Sequence, residues 1–396
     1  MRVLFFLVLS SVGHWSAFAW CRAAIPRIKQ HESGARLVFV ACALVLPALR
    51  LVQHLAPNSQ LVHVTFAFAT MEVVILLVAL PFIAAFSFAT RAAEKAVAIV
   101  RPTTPEEKDV RVSRRVALER VAGATTFGVT SLTLGWGSIH GRHDFQIEEV
   151  VIKLPRWPRA LDGYTIAQIS DIHVGAFIGE RELGEGFDLV RRIRPDLLVA
   201  TGDLVDNQSH VIGQLLAQMQ RISARDGLFA ILGNHDHYAG AADVAETIRA
   251  SRVRLLANAN ERIRPDDGGG FILAGVDDLR GRGRDREEET PGDFGGPDLA
   301  KALRGIRKDL PRVLLAHQPQ YFDEAKGSID LQLSGHTHGG QINPGFRPAE
   351  LLMKYISGRY DGAGSTLYVN RGFGTTGPPS RVRAAPEITK LVLVSG

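Results

Sequence analysis

The chain has 396 residues, of which 46% are hydrophobic and 22% are charged, and its formal net charge is +5. This length predicts two or three domains, and the apolar content excludes an intrinsically disordered protein. The two cysteines, Cys21 and Cys42, exclude a disulfide framework. The charged side chains are unevenly distributed, with 8 in residues 1–90 and 66 in residues 141–396. We therefore expect two modules of different character.

The excess of positive charge lies in the N-terminal part. Residues 1–140 carry a net charge of +7, whereas residues 141–396 carry a net charge of −2. A basic chain is often one that binds nucleic acid or an anionic surface. Because the C-terminal part is slightly acidic, the sequence predicts no nucleic-acid partner.

Four apolar stretches precede residue 141, and spanning a bilayer takes roughly 20 largely apolar residues. The second stretch is the weakest, since Pro47 and Arg50 interrupt it and a buried helix is the alternative. We predict a transmembrane module over residues 1–140, with the bilayer as its partner. Its predicted spans lie near residues 3–20, 36–55, 61–90 and 121–139.

The basic residues between these stretches predict an orientation, because short cytoplasmic loops collect Lys and Arg. Successive segments contain one, four, one and eight basic residues. This alternation fits four spans with an external N-terminus, so that the chain after residue 140 lies outside the cytoplasm. A cleaved signal peptide ending at Ala17-Phe18-Ala19 is the alternative for the first span, and it would reverse the orientation.

Glu72 lies inside the third predicted span, where an ionisable group is a candidate for function. We expect no acidic or basic partner in another span, and we place His14 and His63 at the membrane interface. Glu72 is therefore predicted to be buried between helices, protonated or hydrogen-bonded. A transporter is disfavoured on this ground.

The chain after residue 145 alternates short apolar runs with helical patterns, which is typical of an α/β protein. Four segments have the pattern of helices, at residues 180–192, 211–222, 241–250 and 297–305. Nine segments have the pattern of strands, at residues 149–154, 164–170, 197–201, 228–232, 271–274, 312–316, 331–334, 365–370 and 388–394.

Polar residues follow five of these strands at their carboxyl ends, where ligand sites lie in such folds. The five clusters are Asp171-Ile172-His173, Gly202-Asp203-Leu204-Val205-Asp206, Gly233-Asn234-His235-Asp236-His237, His317 and Gly335-His336-Thr337-His338. An Asp-x-His or a Gly-Asp alone is common turn chemistry. Five such clusters in order, each closing a predicted strand, make coincidence an unconvincing explanation. His140, His143, His210 and His237 lack such support and are expected on the surface or in packing.

The clusters offer imidazole and carboxylate donors and no thiolate, a set that suits Mn, Fe or Zn in an open site. The seven candidate ligands are Asp171, His173, Asp203, Asn234, His317, His336 and His338. Seven are too many for one ion, but with one bridging carboxylate they provide two four-ligand shells. Two ions about 3.5–4 Å apart can clamp an in-line displacement at phosphorus.

These clusters together resemble the motif set of the calcineurin-like metallophosphoesterase superfamily. The tail, with Gly339-Gly340-Gln341, Tyr368-Val369-Asn370-Arg371-Gly372 and Pro386-Glu387-Ile388, is similar to the membrane-anchored bacterial branch. Vertebrate transmembrane proteins with a metallophosphoesterase domain share this layout. The resemblance covers roughly residues 145–396 of a predicted domain at residues 141–396, and it implies a four-layer α/β fold, in which helices flank two mixed β-sheets.

The resemblance also implies a role for each residue. Asp171, His173, Asp203 and His338 would hold one ion, and Asp203, Asn234, His317 and His336 the other. A hydroxide bridging the two ions would be the nucleophile. His235 would protonate the leaving oxygen or stabilise its charge, and Asp206 would orient His235.

Two features of the sequence are candidates for contacting the substrate. Arg371 follows a predicted strand and is a candidate for binding the substrate phosphate, although it could equally pair with a carboxylate. Residues 263–296 include a Gly-rich, charged insert that is either a solvated loop or a substrate cap.

The leading hypothesis is a membrane-anchored phosphoesterase with its catalytic domain on the extracytoplasmic side. It would act on a phosphodiester, phosphomonoester or pyrophosphate in a small-molecule, envelope or lipid-linked substrate. The alternative is a membrane receptor or sensor that uses the phosphoesterase fold to bind without turnover.

Overall fold

The computed structural model describes residues 2–56, 59–100, 105–264, 266, 270–282, 294–307 and 309–396. The chain forms two compact units. The helical unit comprises Met1–Ser138 with Gly377–Pro379, and the α/β unit comprises Ile139–Thr376 with Ser380–Gly396. The sequence prediction placed the division after residue 140.

The helical unit is built from long apolar helices. They are α1 (Arg2–Ala24), the short α2 (Pro26–Gln30), α3 (Glu32–Leu55), α4 (Gln60–Val100) and α5 (Pro105–Ile139). Three segments of the described chain are long and apolar enough to cross a membrane: Val3–Ala24, Glu32–Gln53 and Gln60–Val100. Their large apolar side chains are often exposed, as helices surrounded by lipid require.

The fourth predicted span lies in α5, which is not among these three in the described part of the chain. Gly, Thr and Ser are frequent between residues 121 and 139 and lower the mean hydropathy of that segment. The span therefore stays a prediction, and so does the orientation that depends on counting it.

Glu72 has an ionisable partner, which corrects the expectation that none stands in another helix. His14 lies in the interior of α1, and its Nε2 is 3.3 Å from Glu72 Oε1. The Nδ1–H of His14 donates to the carbonyl oxygen of Ser10 at 2.8 Å. The Glu72 side chain is 51% exposed within the helical unit, which also corrects the expectation that it is buried between helices.

The α/β unit contains two six-stranded mixed sheets. The first has the order β1-β12-β2-β3-β4-β5, with β12 antiparallel to β2 and the other neighbours parallel. Its strands are β1 (Gln146–Leu154), β2 (Tyr164–Ile169), β3 (Leu197–Thr201), β4 (Leu228–Ile231), β5 (Arg254–Leu255) and β12 (Glu387–Ser395).

The second sheet has the order β10-β11-β9-β8-β7-β6, and its two outermost pairs are antiparallel. Its strands are β6 (Ala259–Ile263), β7 (Phe271–Gly275), β8 (Arg312–Leu315), β9 (Leu331–Ser334), β10 (Gly358–Gly362) and β11 (Ser365–Val369). The inner strands β7, β8, β9 and β11 run parallel.

The main core lies between the two sheets, where Ile166 and Phe229 of the first pack with Phe271 and Leu315 of the second. Helices cover the outer faces: α6 (Glu180–Ile193), α7 (Ile212–Met219) and α8 (Asn234–Arg249) on one side, and α9 (Leu299–Ala302) and α10 (Phe322–Ala325) on the other. The predicted four-layer fold of two mixed sheets flanked by helices is confirmed.

All nine predicted strands form, with ends that differ by a few residues. The three strands that the pattern missed, β5, β6 and β10, are all at sheet edges. Edge strands are short or polar because they are solvated on one side, so they lack the apolar runs that identify central strands.

Candidate metal centre

The candidate ligands come from loops that follow parallel strands of both sheets. Parallel strands bring their carboxyl ends to the same edge, so the loops after β2, β3 and β4 meet there, as do those after β8 and β9. These five loops carry six of the predicted ligands, and Asn234 follows the loop after β4 as the first residue of α8: the six are Asp171, His173, Asp203, His317, His336 and His338.

One group of donors consists of Asp171, His173 and His338, whose ligand atoms all lie within 4.8 Å of one another. His338 Nε2 is 3.4 Å from Asp171 Oδ1 and 3.2 Å from His173 Nε2. Asp203 Oδ2 lies 3.6 Å from His173 Nε2 and extends the group. The structure therefore brings together the four residues that the resemblance assigned to one ion.

A second group consists of Asp203, His317 and His336, again within 4.8 Å of one another. His317 Nε2 is 3.3 Å from both Asp203 Oδ2 and His336 Nδ1, and 3.2 Å from Asn234 Oδ1. The Nδ1–H of His317 donates to the carbonyl oxygen of Thr201 at 2.8 Å, so that Nε2 is the ring nitrogen that faces the group.

The spacing of these atoms fits divalent metal ions. For tetrahedral bonds of about 2.1 Å, neighbouring ligand atoms are about 3.4 Å apart, and the separations above lie between 3.2 and 3.6 Å. Asp203 Oδ2 belongs to the second group and also lies 3.6 Å from His173 Nε2 of the first. The donor set, oxygen and imidazole without sulfur, matches Mn, Fe or Zn.

The backbone at this site is strained. A non-glycine residue rarely has a positive φ, because its Cβ then crowds the backbone, at a cost of roughly 1 kcal/mol or more. Such strain persists where the surrounding structure demands it, and it clusters at functional sites. Five of the seven candidate ligands have φ between 50° and 73°: Asp171, His173, Asp203, His336 and His338.

Two motif glycines are needed because the loops approach each other closely. A Cβ on Gly335 would lie 2.0 Å from Ser170 Oγ, and one on Gly233 would lie 2.3 Å from Asp203 Oδ1. Either contact would push a ligand loop away from the others. The glycines in Gly-Asn-His-Asp and Gly-His-Thr-His therefore serve the geometry of the ligands.

Hydrogen bonds from backbone amides fix the two aspartates. The Asp171 carboxylate accepts from the N–H of His336 at 2.9 Å, which ties the loop after β2 to the loop after β9. Asp203 Oδ1 accepts from the N–H of His235 at 2.8 Å, so that Oδ2 points toward the histidines. Burial alone would raise the pKa of Asp203, but the adjacent charges of His317 and His235 outweigh it and hold the pKa well below its usual range.

His235 has a ligand atom within 4.8 Å of those of His173 and Asp203, so it adjoins the two donor groups, and it is held by Asp206. Its Nδ1–H donates to the Asp206 carbonyl oxygen at 2.9 Å, and Asp206 Oδ1 lies 3.3 Å from the same nitrogen. Nε2 of His235 is thereby left available for a substrate. Burial opposes the charged imidazolium, but Asp203 and Asp206 outweigh it and raise the pKa of His235 to about 9.

Comparison with known proteins identifies the family. The calcineurin-like phosphoesterase profile matches residues 164–340. A metallophosphoesterase of Bacillus subtilis, YkuE, is 32% identical over 299 residues, which cover 72% of this chain and 99% of that protein. The chain belongs to the calcineurin-like metallophosphoesterases. This confirms the resemblance seen in the motifs.

Two vertebrate relatives of this metallophosphoesterase are named transmembrane protein with metallophosphoesterase domain. The one from Danio rerio is 33% identical over 274 residues, covering 67% of this chain and 61% of the relative. The one from Bos taurus is 32% identical over 293 residues, covering 71% of this chain and 64% of the relative. The chain thus spans less than two thirds of the length of these relatives.

Arg371 of the metallophosphoesterase is held in ion pairs. Its Nη2 lies 3.1 Å from Glu148 Oε2, and its Nε lies 3.2 Å from Glu387 Oε2. Glu387 is fully buried and also accepts a hydrogen bond from the hydroxyl of Tyr368 at 2.8 Å. The alternative of pairing with a carboxylate therefore describes Arg371 better than phosphate binding does.

We expect Arg371→Gln to lower stability and leave substrate binding intact, because it leaves the buried Glu387 without its cation. Breaking a buried ion pair costs roughly 3 kcal/mol or more. Thermal unfolding and KM for an aryl phosphate measure the two effects separately. A large rise in KM with unchanged stability would instead restore Arg371 as a phosphate ligand.

Sequence reasoning missed Arg381, which is fully buried next to the first donor group. Its guanidinium donates to the carbonyl oxygens of Arg371, Gly372 and Ala384, and its Nη2 lies 3.2 Å from His338 Nδ1. Arg381 thus fixes the loop after β11 against a candidate ligand. It lies in an irregular segment with no recognisable motif, so the sequence contains no signal that distinguishes it from a surface arginine.

Tyr238 lies next to His235, Arg280 lies over the Tyr238 ring, and both were also missed. The rings of Tyr238 and His235 are 5.3 Å apart between centroids, and the guanidinium of Arg280 lies 5.2 Å from the Tyr238 centroid. Both side chains are exposed. They offer a positive charge and an aromatic surface beside the candidate proton donor.

His237 and the charged insert lie outside the two donor groups as far as the chain is described. His237 is buried and pairs with Asp277 at 2.8 Å, as a packing histidine, and among the described residues it belongs to neither donor group. Arg282, at the start of the charged insert, pairs with Glu324. Within the 263–296 segment, residues 265, 267–269 and 283–293 lie outside the described part of the chain.

Proposed function

We propose that this metallophosphoesterase is a membrane-anchored hydrolase that uses two divalent ions, Mn, Fe or Zn, to cleave a phosphodiester, phosphomonoester or pyrophosphate bond. The observation that carries the proposal is the sharing of Asp203 Oδ2 between two donor groups of metal-binding geometry. Bound there, two ions would lower the pKa of a water molecule and neutralise phosphate oxygens.

The proposed ligands follow the two donor groups. Asp171, His173, Asp203 and His338 would hold one ion, and Asp203, Asn234, His317 and His336 the other. Asp203 would hold both, which is why its Oδ1 is fixed by a backbone amide and only Oδ2 faces the histidines.

His235 would act as the general acid. With Nδ1 committed to Asp206, its Nε2 can donate a proton to the leaving oxygen. The raised pKa keeps the imidazolium populated near neutral pH. Asp206 also lies 3.6 Å from His173 Nδ1, so one carboxylate orients both the proton donor and a ligand.

The role of Asp206 predicts a change in the pH dependence of turnover. The protonated form of His235 is the active one, so kcat falls as pH rises through the pKa of His235. Asp206→Asn removes a negative charge that raises this pKa. The fall of kcat on the alkaline side of its pH profile, the alkaline limb, should therefore move to lower pH. Bound metal ions shift the limb in the same direction in both proteins. A limb that stays in place in Asp206→Asn would contradict the assignment.

The membrane association is proposed from the three helices of spanning length and from the names of the vertebrate relatives. The basic residues of the N-terminal segments favour an extracytoplasmic α/β unit. A reporter fused after Gly396 should then be active outside the inner or plasma membrane and silent in the cytoplasm. The reverse pattern would place the site in the cytoplasm.

The substrate is proposed to be an envelope or lipid-linked phosphate, because the anchor would hold the site close to lipid headgroups. The test is a substrate panel on the Mn-loaded full-length protein, comprising aryl phosphates, phosphodiesters, nucleotide-sugar pyrophosphates and detergent-solubilised lipid phosphates. We expect hydrolysis that Asn234→Ala largely removes. Absence of hydrolysis throughout, or equal rates in Asn234→Ala, would favour the receptor alternative.

A further inference from the structure

A patch of exposed apolar side chains lies in the loop that follows the His336 and His338 turn. Phe346, Leu351, Leu352 and Met353 are 55%, 82%, 90% and 43% exposed. They make up half of the large apolar side chains that are exposed in the described part of the α/β unit. A single exposed leucine needs no explanation, but a cluster of this kind marks an interaction site. We call residues 346–353 the apolar tip.

The loop that carries the apolar tip is fastened to the body of the unit. The side-chain amide of Asn343 donates to the carbonyl oxygen of Gly339 at 3.0 Å, directly after the candidate ligand His338. At the other end, the hydroxyl of Tyr355 donates to Asp323 at 3.0 Å. Both ends of the loop are therefore tied to the body of the unit, one of them next to His338, and the four large apolar side chains between them remain exposed.

The charged side chains next to the apolar tip are paired. Arg347 lies 3.7 Å from Glu350, and Lys354 lies 2.8 Å from Asp323. A surface that binds anionic headgroups by charge alone would show unpaired basic residues. The tip instead offers large apolar side chains between paired charges. Its partner should therefore be apolar, and binding of that partner should depend little on charge.

We propose that the apolar tip inserts into the interfacial region of the lipid bilayer and holds the catalytic site against it. The inference rests on the proposed membrane anchoring, because the helices of the same chain would keep the tip at a high effective concentration near lipid. A few inserted side chains suffice for a module that is already tethered. A stable dimer, in contrast, needs about 800 Å² from each partner, far more than four side chains provide.

The test places an environment-sensitive fluorophore on the tip of the full-length protein in phosphatidylcholine vesicles. Cys21→Ser and Cys42→Ser remove the native thiols, and Leu352→Cys introduces one for labelling. Asp309→Cys, at an exposed charged position of the same unit, is the matched control. We expect a blue-shifted emission at residue 352, quenched by lipids brominated near the headgroup, and neither effect at residue 309. Adding phosphatidylglycerol should change little.

Equal emission at the two positions would overturn the proposal. So would a blue shift at residue 352 that occurs in detergent and grows with protein concentration, since it would indicate a second copy of the chain. The measurement needs no turnover and can be repeated with Asp203→Asn. Insertion without hydrolysis would contradict the proposed function alone, and hydrolysis without insertion would contradict this inference alone.

Discussion

Replacing Asp203 by Asn is expected to lower kcat by about a thousandfold or more, corresponding to the several kcal/mol that a two-metal clamp contributes. The structure gives the reason. Oδ1 of Asp203 accepts the N–H of His235, so the oxygen of the new amide should keep that position. The NH2 group would then replace Oδ2 and face His173 and His317, where it cannot bind a cation.

The metal content of Asp203→Asn should fall for both ions, because both donor groups lose their shared oxygen. Asp171→Asn and Asn234→Ala are the matched comparisons, since each alters one group only. We expect each of them to weaken one ion more than the other, as measured by elemental analysis after dialysis. Retention of two ions in Asp203→Asn, with kcat within tenfold of the wild type, would contradict a bridging role.

His235→Gln is expected to lower kcat by about 10² to 10⁴, the usual contribution of a general acid, without changing the metal content. His235 lies beside the donor groups but its Nδ1 is bound to Asp206, so its loss should leave the ligands in place. The same substitution at the exposed His210 is the control and should have no effect.

The loss in His235→Gln should depend on the leaving group. A nitrophenolate needs little protonation, whereas an alkoxide needs a full proton, so the defect should be small for nitrophenyl phosphates and large for alkyl esters. Rates for a series of leaving groups of increasing pKa measure this directly. A defect of equal size across the series would mean that His235 acts on the phosphoryl group rather than on the leaving oxygen.

The parts of the fold that the sequence predicts are those governed by local patterns. Central strands such as β3 and β4 are buried on both faces and consist of largely continuous apolar runs, so they are identifiable. The candidate ligands follow such strands, and parallel neighbours align their ends, which is why His173 after β2 and Asp203 after β3 could be expected to meet. The edge strand β10 carries no such pattern because solvent covers it.

Contacts between distant side chains were harder to predict. Arg371 and Arg381 lie ten residues apart in the sequence. Arg371 pairs with Glu387, whereas Arg381 holds a loop in place beside His338. Their roles depend on which buried groups the fold brings to each, and no local spacing encodes that. The partner of Glu72 was missed for the same reason, since the packing of α1 against α4 decides that His14 faces it.

The most direct test of the two-metal proposal is to count metal ions on the purified full-length protein while measuring hydrolysis of an aryl phosphate. The protein is first stripped with a chelator and then titrated with Mn. The account predicts no hydrolysis in the stripped protein and full activity only as the content approaches two ions per chain. Hydrolysis that survives complete removal of metal, or that is already maximal at one ion per chain, would contradict it.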